Sequence, residues 1–171
     1  MKSFKIREFE PMDAEHCFRI RTSAFIKLFY DEIGPDAVTT GINAYLPEKY
    51  IQMAATLPIF VAVSDQTQIG YIAPRALDLH VIEILFLYIR LDSLGKGIGT
   101  ELVRYLEDWI RKRQTEIRQI VVDTAVPKFN QTFYEKIGYL EAGKSNCQYP
   151  DGSIKAVRLV KNLAYTALSF L

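Results

Sequence analysis

The sequence has 171 residues, of which 49% are hydrophobic and 24% charged, with 9 glycines and 7 prolines. This composition is typical of a single globular domain over residues 1–171 and excludes a disordered, collagenous or repeat protein. The 21 basic and 20 acidic side chains leave a formal net charge of +1. So small a charge argues against binding to nucleic acid or to an anionic membrane surface.

Cysteine content and hydropathy indicate the cellular compartment in which the protein is expected. Cys17 and Cys147 are too few for a disulfide framework, and no histidine or cysteine near them has metal-binding spacing, so we expect no metal. The first ten residues alternate apolar and charged side chains, which does not resemble a secretory signal. The longest apolar run, residues 81–89, is too short to span a membrane. We therefore expect a cytoplasmic protein.

The N-terminal third is predicted to form one strand and two helical segments. Apolar side chains alternate with charged ones over residues 4–9, which indicates a half-buried strand. Residues 14–30 carry apolar side chains at helical spacing, and Gly34-Pro35 is expected to end that helix. Residues 36–53 are less regular and also favour helix.

The central segment predicts three strands, of which the first two form a hairpin: residues 59–63, 68–72 and 80–89. Residues 97–113 follow as an amphipathic helix, and residues 117–123 as a further strand. A strand–helix–strand unit of this length implies two parallel neighbouring strands joined by a right-handed crossover.

The C-terminal part predicts a short helix that begins near Pro127 and ends at Gly138. Residues 156–160 form the last predicted strand and pair with residues 147–149 across a turn at Asp151. The tail, residues 163–171, is more apolar than a free chain end requires. It is expected to pack on the domain or on a second subunit, which leaves a homodimer open.

A glycine-rich segment, Leu94-Gly-Lys-Gly-Ile-Gly-Thr100, joins the third central strand to its helix. Its free N–H groups and the positive end of the helix behind it predict an anion site. The segment does not match a Walker A sequence, and Thr100 stands where a dinucleotide fingerprint requires its third glycine. Asp123, after the next strand, is placed where a ribose-binding acid would lie, so a dinucleotide-binding domain stays open as an alternative.

Three polar residues are candidates for chemistry. Glu83 lies in the apolar run 81–89, where burial would favour proton uptake and suit a general base, unless the side chain faces solvent. Asn130 and Tyr134 are four residues apart in the short helix and therefore lie on one side of it. They could bind the amides of a ligand and donate a proton, unless the asparagine faces water and the tyrosine is packed with only its hydroxyl exposed.

Taken in order, the Glu83-Ile-Leu-Phe-Leu-Tyr-Ile89 strand, the Leu94–Gly99 loop and the Asn130-x-x-Phe-Tyr134-x-Lys-x-Gly-Tyr139 segment resemble the GNAT superfamily of acyl-CoA-dependent N-acetyltransferases. The resemblance covers nearly the whole chain and leaves out only the tail. It implies an α+β (mixed α/β) fold, a mostly antiparallel sheet of about seven strands flanked by helices, with one parallel βαβ unit that binds CoA.

The resemblance also implies a coenzyme site. The family's Gln/Arg-x-x-Gly-x-Gly/Ala motif falls on Leu94 to Gly99, with Leu94 in place of the usual Gln or Arg, and its backbone would hold the CoA pyrophosphate. The strand at Leu87 to Ile89 would pair with the pantetheine as if CoA were an added strand. The implied acetyl-CoA-binding residues are Leu87, Tyr88, Ile89, Leu94, Gly95, Lys96, Gly97, Ile98, Gly99, Thr100, Asn130 and Tyr134.

The implied reaction is acetyl transfer to a primary amine, with Glu83 as base and Tyr134 as acid. Direct attack in a ternary complex is expected, because Cys17 and Cys147 lie outside the three motifs and have no candidate base beside them. An acyl-CoA-binding module without turnover is the main alternative. By the same resemblance the acceptor pocket lies between the N-terminal helices and the late hairpin, residues 147–154, and the aromatic residues that could shape it are Phe25, Phe29, Tyr30 and Tyr45.

Overall fold

The computed structural model describes residues 4–114, 116–125, 128–149 and 152–163. Within these ranges the chain forms seven strands: β1 (Lys5–Glu8), β2 (Phe60–Ser64), β3 (Thr67–Ala76), β4 (Val81–Ile89), β5 (Gln119–Ala125), β6 (Leu140–Tyr149) and β7 (Gly152–Asn162). It also forms four α-helices: α1 (Ala14–Asn43), α2 (Pro47–Ala54), α3 (Ile98–Arg113) and α4 (Lys128–Lys136).

The strands make one sheet in the order β1-β2-β3-β4-β5-β7-β6. Neighbouring strands are antiparallel except β4 and β5, which are parallel and are joined through α3. The predicted mixed fold, with a mostly antiparallel sheet of seven strands and a single parallel βαβ unit, is therefore confirmed.

Helix α1 consists of two helical segments that meet at Gly34, where the sequence predicts that the first segment ends. Gly34 has φ of 79° and ψ of 168°, so it kinks the helix, and helical geometry resumes through Asn43. Pro35 is tolerated because it begins the second segment, where a missing N–H breaks no intrahelical hydrogen bond. None of the described helices is both long enough and apolar enough to cross a membrane.

The C-terminal hairpin is longer than predicted, because β6 and β7 pair from Leu140↔Val160 to Tyr149↔Gly152. The sequence pattern missed most of β6, since this strand lies at the sheet edge and its described side chains are exposed or half-buried. The predicted turn residue Asp151 and residues 164–171 of the predicted apolar tail lie outside the described residues. Leu163 is described and is buried in the core.

The sheet carries a core on each face. On one face α3 inserts Leu102, Leu106 and Ile110, all fully buried, which is the face predicted by the helical spacing of residues 97–113. On the other face α1 and α2 pack Cys17 and Tyr50 against the sheet. Burial of each large apolar side chain contributes about 1.5–3 kcal/mol.

A buried ion pair connects α3 to the last strand. Glu107 is 3% exposed, and Lys161 Nζ donates to its two carboxylate oxygens at 2.8 and 2.9 Å. Lys161 Nζ also donates to the carbonyl oxygen of Ile137 at 2.9 Å, and the Tyr139 hydroxyl donates to Glu107 at 3.3 Å. The ion pair therefore links α3 and the end of α4 to β7.

Lys161→Met removes the cation and keeps an unbranched side chain. We expect the free energy of unfolding to fall by about 3 kcal/mol, because a buried carboxylate is left without its main partner. Urea denaturation measures the change. Lys112→Met, at an exposed position of α3, is the control and should change stability by less than about 0.5 kcal/mol. Equal losses in the two variants would contradict the assigned role of the pair.

Candidate functional site

The parallel strands β4 and β5 separate after three paired positions. Val81, Ile82 and Glu83 pair with residues 119–121, but β4 continues to Ile89 and β5 to Ala125 without further pairing between them. The gap opens at the carboxyl ends of two parallel strands, which is where ligands bind in sheets of this kind. The β4 backbone beyond Glu83 therefore offers N–H and C=O groups to a ligand in an extended conformation.

A cavity of about 630 Å³ occupies this gap. Its walls come from the separated parts of β4 and β5, from α1, from the glycine-rich loop with the start of α3, and from α4. All of the predicted coenzyme-binding residues line it except Lys96, whose side chain is exposed: Leu87, Tyr88, Ile89, Leu94, Gly95, Gly97, Ile98, Gly99, Thr100, Asn130 and Tyr134.

A β-bulge determines which side chains of β4 face α1. Phe86 pairs with Ala73 and Ile84 pairs with Pro74, so Leu85 is an extra residue in β4. The bulge reverses the alternation of side chains along the strand. Ile82, Ile84, Leu87 and Ile89 accordingly pack on the α3 side, whereas Phe86 and Tyr88 pack on the α1 side. Glu83 lies between Ile82 and Ile84, so its side chain points to the α1 side, as those of Phe86 and Tyr88 do.

Glu83 is 7% exposed, so the alternative of a solvent-facing glutamate is wrong. Its Oε2 accepts hydrogen bonds from Arg75 Nε at 2.8 Å and Arg75 Nη2 at 2.5 Å, while Oε1 accepts none from the described residues. Arg75 lies directly opposite in β3. Sequence analysis missed this partner because the predicted strand ended at residue 72.

Tyr134 is 5% exposed and lines the cavity, so its ring is packed, as both the catalytic hypothesis and its alternative predict. Its ring packs edge-on against Phe133 and Tyr139 at centroid distances of 4.9 and 5.4 Å, and its hydroxyl bonds to no described residue. Burial raises the pKa of Tyr134 well above its ordinary value, which keeps the phenol protonated. Asn130 is half-buried and lines the same cavity one turn earlier in α4.

The glycine-rich loop has a backbone that only glycine adopts readily. Gly95 and Gly97 have φ of 75° and 78°, and a Cβ atom at either position would meet open space. Their conformation, rather than crowding, therefore requires glycine. No side chain caps α3, and the N–H groups of Ile98, Gly99 and Thr100, which line the cavity, have no backbone partner among the described residues. At Gly99 a Cβ would lie 3.3 Å from the Phe133 ring, which shows how closely α3 and α4 pack.

Asp123 lines the cavity but is already engaged. Arg158 donates to its two oxygens at 2.8 and 2.7 Å, and this hydrogen bonding raises the pKa of the arginine. The ribose-binding role that kept a dinucleotide domain open therefore has no support in the geometry. The Cys147 thiol donates to the Asp123 carbonyl oxygen at 3.7 Å.

The α1 side of the cavity is mostly apolar and carries two cationic side chains, the buried Arg21 and the exposed Lys27. Phe25, Phe29 and Tyr45 line it as predicted, whereas Tyr30 is 49% exposed and does not. Arg21 also lines it and is 3% exposed; sequence analysis missed this residue. A signal was present, because position 21 is four residues from both Cys17 and Phe25 and so falls on the apolar stripe of α1.

In the described part of the chain, no cluster of three or more histidine, cysteine or carboxylate side chains could hold a metal ion. The groups present at the cavity include carboxylates, phenols, amides, a guanidinium and backbone N–H groups at the start of α3. Such groups can bind an anionic ligand and move protons.

Comparison with protein families identifies a match over most of the chain. The model described as acetyltransferase (GNAT) family matches residues 24–139, which is more than half of the chain and includes the three motifs of the sequence analysis. No curated protein sequence matches the chain significantly.

Solved structures of the same fold cover almost the whole chain. The PaiA N-acetyltransferase from Thermoplasma acidophilum, in complex with coenzyme A, has a TM-score of 0.79 and 21% identity, and the match covers 94% of this chain and 99% of that one. The ribosomal-protein-S18-alanine N-acetyltransferase from Escherichia coli has a TM-score of 0.71 and 14% identity, covering 98% and 99%. At these identities the likeness concerns the fold.

The two thiols should react slowly. Burial raises the pKa of Cys147 from 9.0 to about 11 and that of Cys17 to about 12. Only the thiolate reacts, so at pH 8 we expect iodoacetamide to alkylate Cys147 about 100-fold more slowly in the folded protein than in urea. The folded rate should rise about tenfold per pH unit toward pH 11. Mass spectrometry of the labelled peptides gives both rates, and fast labelling at pH 8 would contradict the buried environment.

Proposed function

The chain belongs to the acetyltransferase (GNAT) family, and from this membership we propose that it transfers an acetyl group from acetyl-CoA to a primary amine in a ternary complex. The observation that carries the proposal is the cavity between β4 and β5. It brings the glycine-rich loop, Glu83 and Tyr134 to one space, although Glu83 and Tyr134 lie 51 residues apart in the sequence.

The geometry supports acetyl-CoA as the donor. The free edge of β4 beyond Glu83 suits the amide groups of the pantetheine arm, which would add to the sheet as a short strand. At the end of that edge, the unpaired N–H groups at the start of α3 suit the pyrophosphate. Asn130 lies on the opposite wall, where its amide can bond the same arm.

Glu83 is placed to act as the base. A protonated amine has no lone pair with which to attack a thioester, so a group in the site must remove a proton first. Arg75 occupies only Oε2, which leaves Oε1 to take that proton, directly or through water. Arg75 thus orients the carboxylate from the side away from the cavity.

The next step forms a bond between the amine nitrogen and the acetyl carbon and breaks the bond from that carbon to sulfur. Backbone N–H groups of β4 at the bulge are unpaired toward the cavity and can bond the carbonyl oxygen as it gains negative charge. Tyr134 stays protonated and can donate its proton to the departing thiolate. Because the thiolate leaves inside the same buried cavity, desolvation also favours its protonation.

Transfer through a cysteine of this protein has no support. Both thiols have a raised pKa, and neither Cys17 nor Cys147 has a base within hydrogen-bond reach among the described residues. Direct attack on the bound thioester therefore fits the site better than a covalent intermediate.

Tyr134→Phe removes the proton donor and keeps the ring. We expect turnover to fall by about 10- to 1000-fold with little change in CoA affinity, because the hydroxyl acts on the leaving group rather than on binding. Thiol release from acetyl-CoA in the presence of an amine panel measures turnover, and calorimetry measures CoA binding. Tyr105→Phe, on the 40% exposed Tyr105 of α3, is the matched control.

Two results would contradict the proposed function. If calorimetry found no binding of CoA or acetyl-CoA to the wild-type protein, the coenzyme site would be wrong. If CoA bound but no amine in the panel released thiol, the protein would be an acyl-CoA-binding module. Unchanged turnover in Tyr134→Phe alone would remove only this tyrosine from the mechanism.

Glu83→Gln removes the base and keeps the shape of the side chain. The variant should lose most activity at low pH, because the free amine is then scarce and nothing replaces the base. Its rate should recover as pH rises toward the pKa of the amine, so the ratio of wild-type to variant kcat/KM should fall steadily with pH. The exposed Glu48 gives the control variant Glu48→Gln, which should keep the wild-type profile. Parallel profiles for Glu83→Gln and wild type would contradict the role of base.

A further inference from the structure

Arg21 is a buried cation without an acidic partner. It is 3% exposed, and its Nη2 donates to the Gly41 carbonyl oxygen at 2.9 Å. Its Nε and Nη1 are buried and have no hydrogen-bond partner within 3.5 Å among the described residues, although the guanidinium lies near enough to the Tyr88 hydroxyl to oppose the rise that burial causes in the pKa of that tyrosine. Burying a charge is costly unless it is paired, and unsatisfied donors add to that cost. Two donor groups of Arg21 are therefore available to a bound molecule.

The surroundings of Arg21 are aromatic. Its guanidinium carbon lies 4.9 Å from the ring centre of Phe25, 5.0 Å from that of Tyr45 and 5.2 Å from that of Phe86. These contacts replace part of the lost hydration and hold the guanidinium plane in place. They leave its charge unneutralised, because aromatic rings carry no net charge.

The other arginines next to the cavity differ from Arg21. Arg75 is paired with Glu83 and Arg158 with Asp123, each by two hydrogen bonds. The charges of Glu83 and Asp123, the two carboxylates that line the cavity, are thus already offset by arginines that do not line it. Arg21 and the exposed Lys27 are the cationic side chains among the described lining residues, so this part of the cavity attracts anions and disfavours polycations.

Arg21 and Glu83 belong to the same end of the cavity. The bulge at Leu85 turns Phe86, which contacts Arg21, to the same face of β4 as Glu83. Three residues of a strand span about 10 Å, which sets the separation of Glu83 from Phe86, the residue of β4 that contacts Arg21. If one water bridges the amine of a bound acceptor to Glu83, a carboxylate a few bonds away in the same molecule can contact Arg21.

We propose that the acceptor is an amino acid with an apolar side chain, whose carboxylate is bound by Arg21 while its amine faces Glu83. This specificity rests on the proposed acetyltransferase function. A carboxylate oxygen can accept one charge-assisted hydrogen bond from Nε or from Nη1 of Arg21, which point in different directions, while Nη2 donates to Gly41. The apolar side chain would lie against the aromatic and aliphatic wall made by Phe25, Phe29 and Leu28.

The test compares three amines that share one side chain: L-phenylalanine, L-phenylalaninamide and phenethylamine, each with acetyl-CoA. The measured quantity is the ratio of wild-type to Arg21→Met kcat/KM for each amine, in which the different basicities of the amines cancel. We expect a ratio of at least about 30 for phenylalanine, and at least tenfold smaller ratios for the two amines that lack the carboxylate. Arg19→Met, on an exposed arginine of the same helix paired with Glu15, should leave all three ratios near 1.

A second measurement does not depend on the variant folding well. In the presence of CoA, N-acetyl-L-phenylalanine should raise the thermal midpoint of the wild-type protein, and N-acetylphenethylamine should raise it much less, because only the former carries the carboxylate. Equal shifts, or no shift with either compound, would overturn the proposal.

The outcomes separate this proposal from the function on which it rests. If the wild-type protein acetylates amines but prefers spermidine or phenethylamine to phenylalanine, the acceptor proposal is wrong and the acetyltransferase function stands. Equal ratios for the three amines in Arg21→Met would also overturn it. Failure to bind CoA or to release thiol with any amine would instead overturn the proposed function.

Discussion

The separation of β4 from β5 beyond Glu83 is the constraint from which the site follows. A strand inside a sheet normally pairs on both edges, and unpaired backbone groups away from water carry a free-energy cost. Here the flanking layers hold the strands apart: α3 and α4 pack on one face and α1 on the other, with its kink at Gly34. The free edge of β4 therefore persists, and a ligand that pairs with it offsets the cost.

The other functional groups lie around this gap between β4 and β5. Glu83 occupies the last paired position of β4, so its carboxylate lies where the gap begins. The glycine-rich loop follows β4 directly and carries the start of α3 to the far end of the gap. Tyr134 approaches from α4, held between Phe133 and Tyr139. One irregularity in pairing thus brings a base, an acid and an anion site to a single cavity.

The charged side chains give the two ends of the cavity preferences for differently charged ligand groups. Both lining carboxylates receive a guanidinium from a neighbouring strand, so their negative charge is offset before any ligand enters. Arg21 is held instead by rings and one carbonyl oxygen and keeps its charge. In the proposed function, Glu83 paired with Arg75 serves as the base and does not attract polycations. Arg21 binds the anionic end of the acceptor. The bulge at Leu85 is what places both on the same face of the sheet.

Local patterns in the sequence were enough for the element order, for the break at Gly34-Pro35 and for the amphipathic helix at residues 97–113, because hydrophobic periodicity and helix-breaking residues act locally. The glycine-rich loop and the shared helix side of Asn130 and Tyr134 were also predicted from spacing. The tertiary structure decided the burial of Glu83, the partners of the two carboxylates and the isolation of Arg21. These depend on strand register and helix packing between distant segments, and no local pattern encodes which arginine meets which carboxylate.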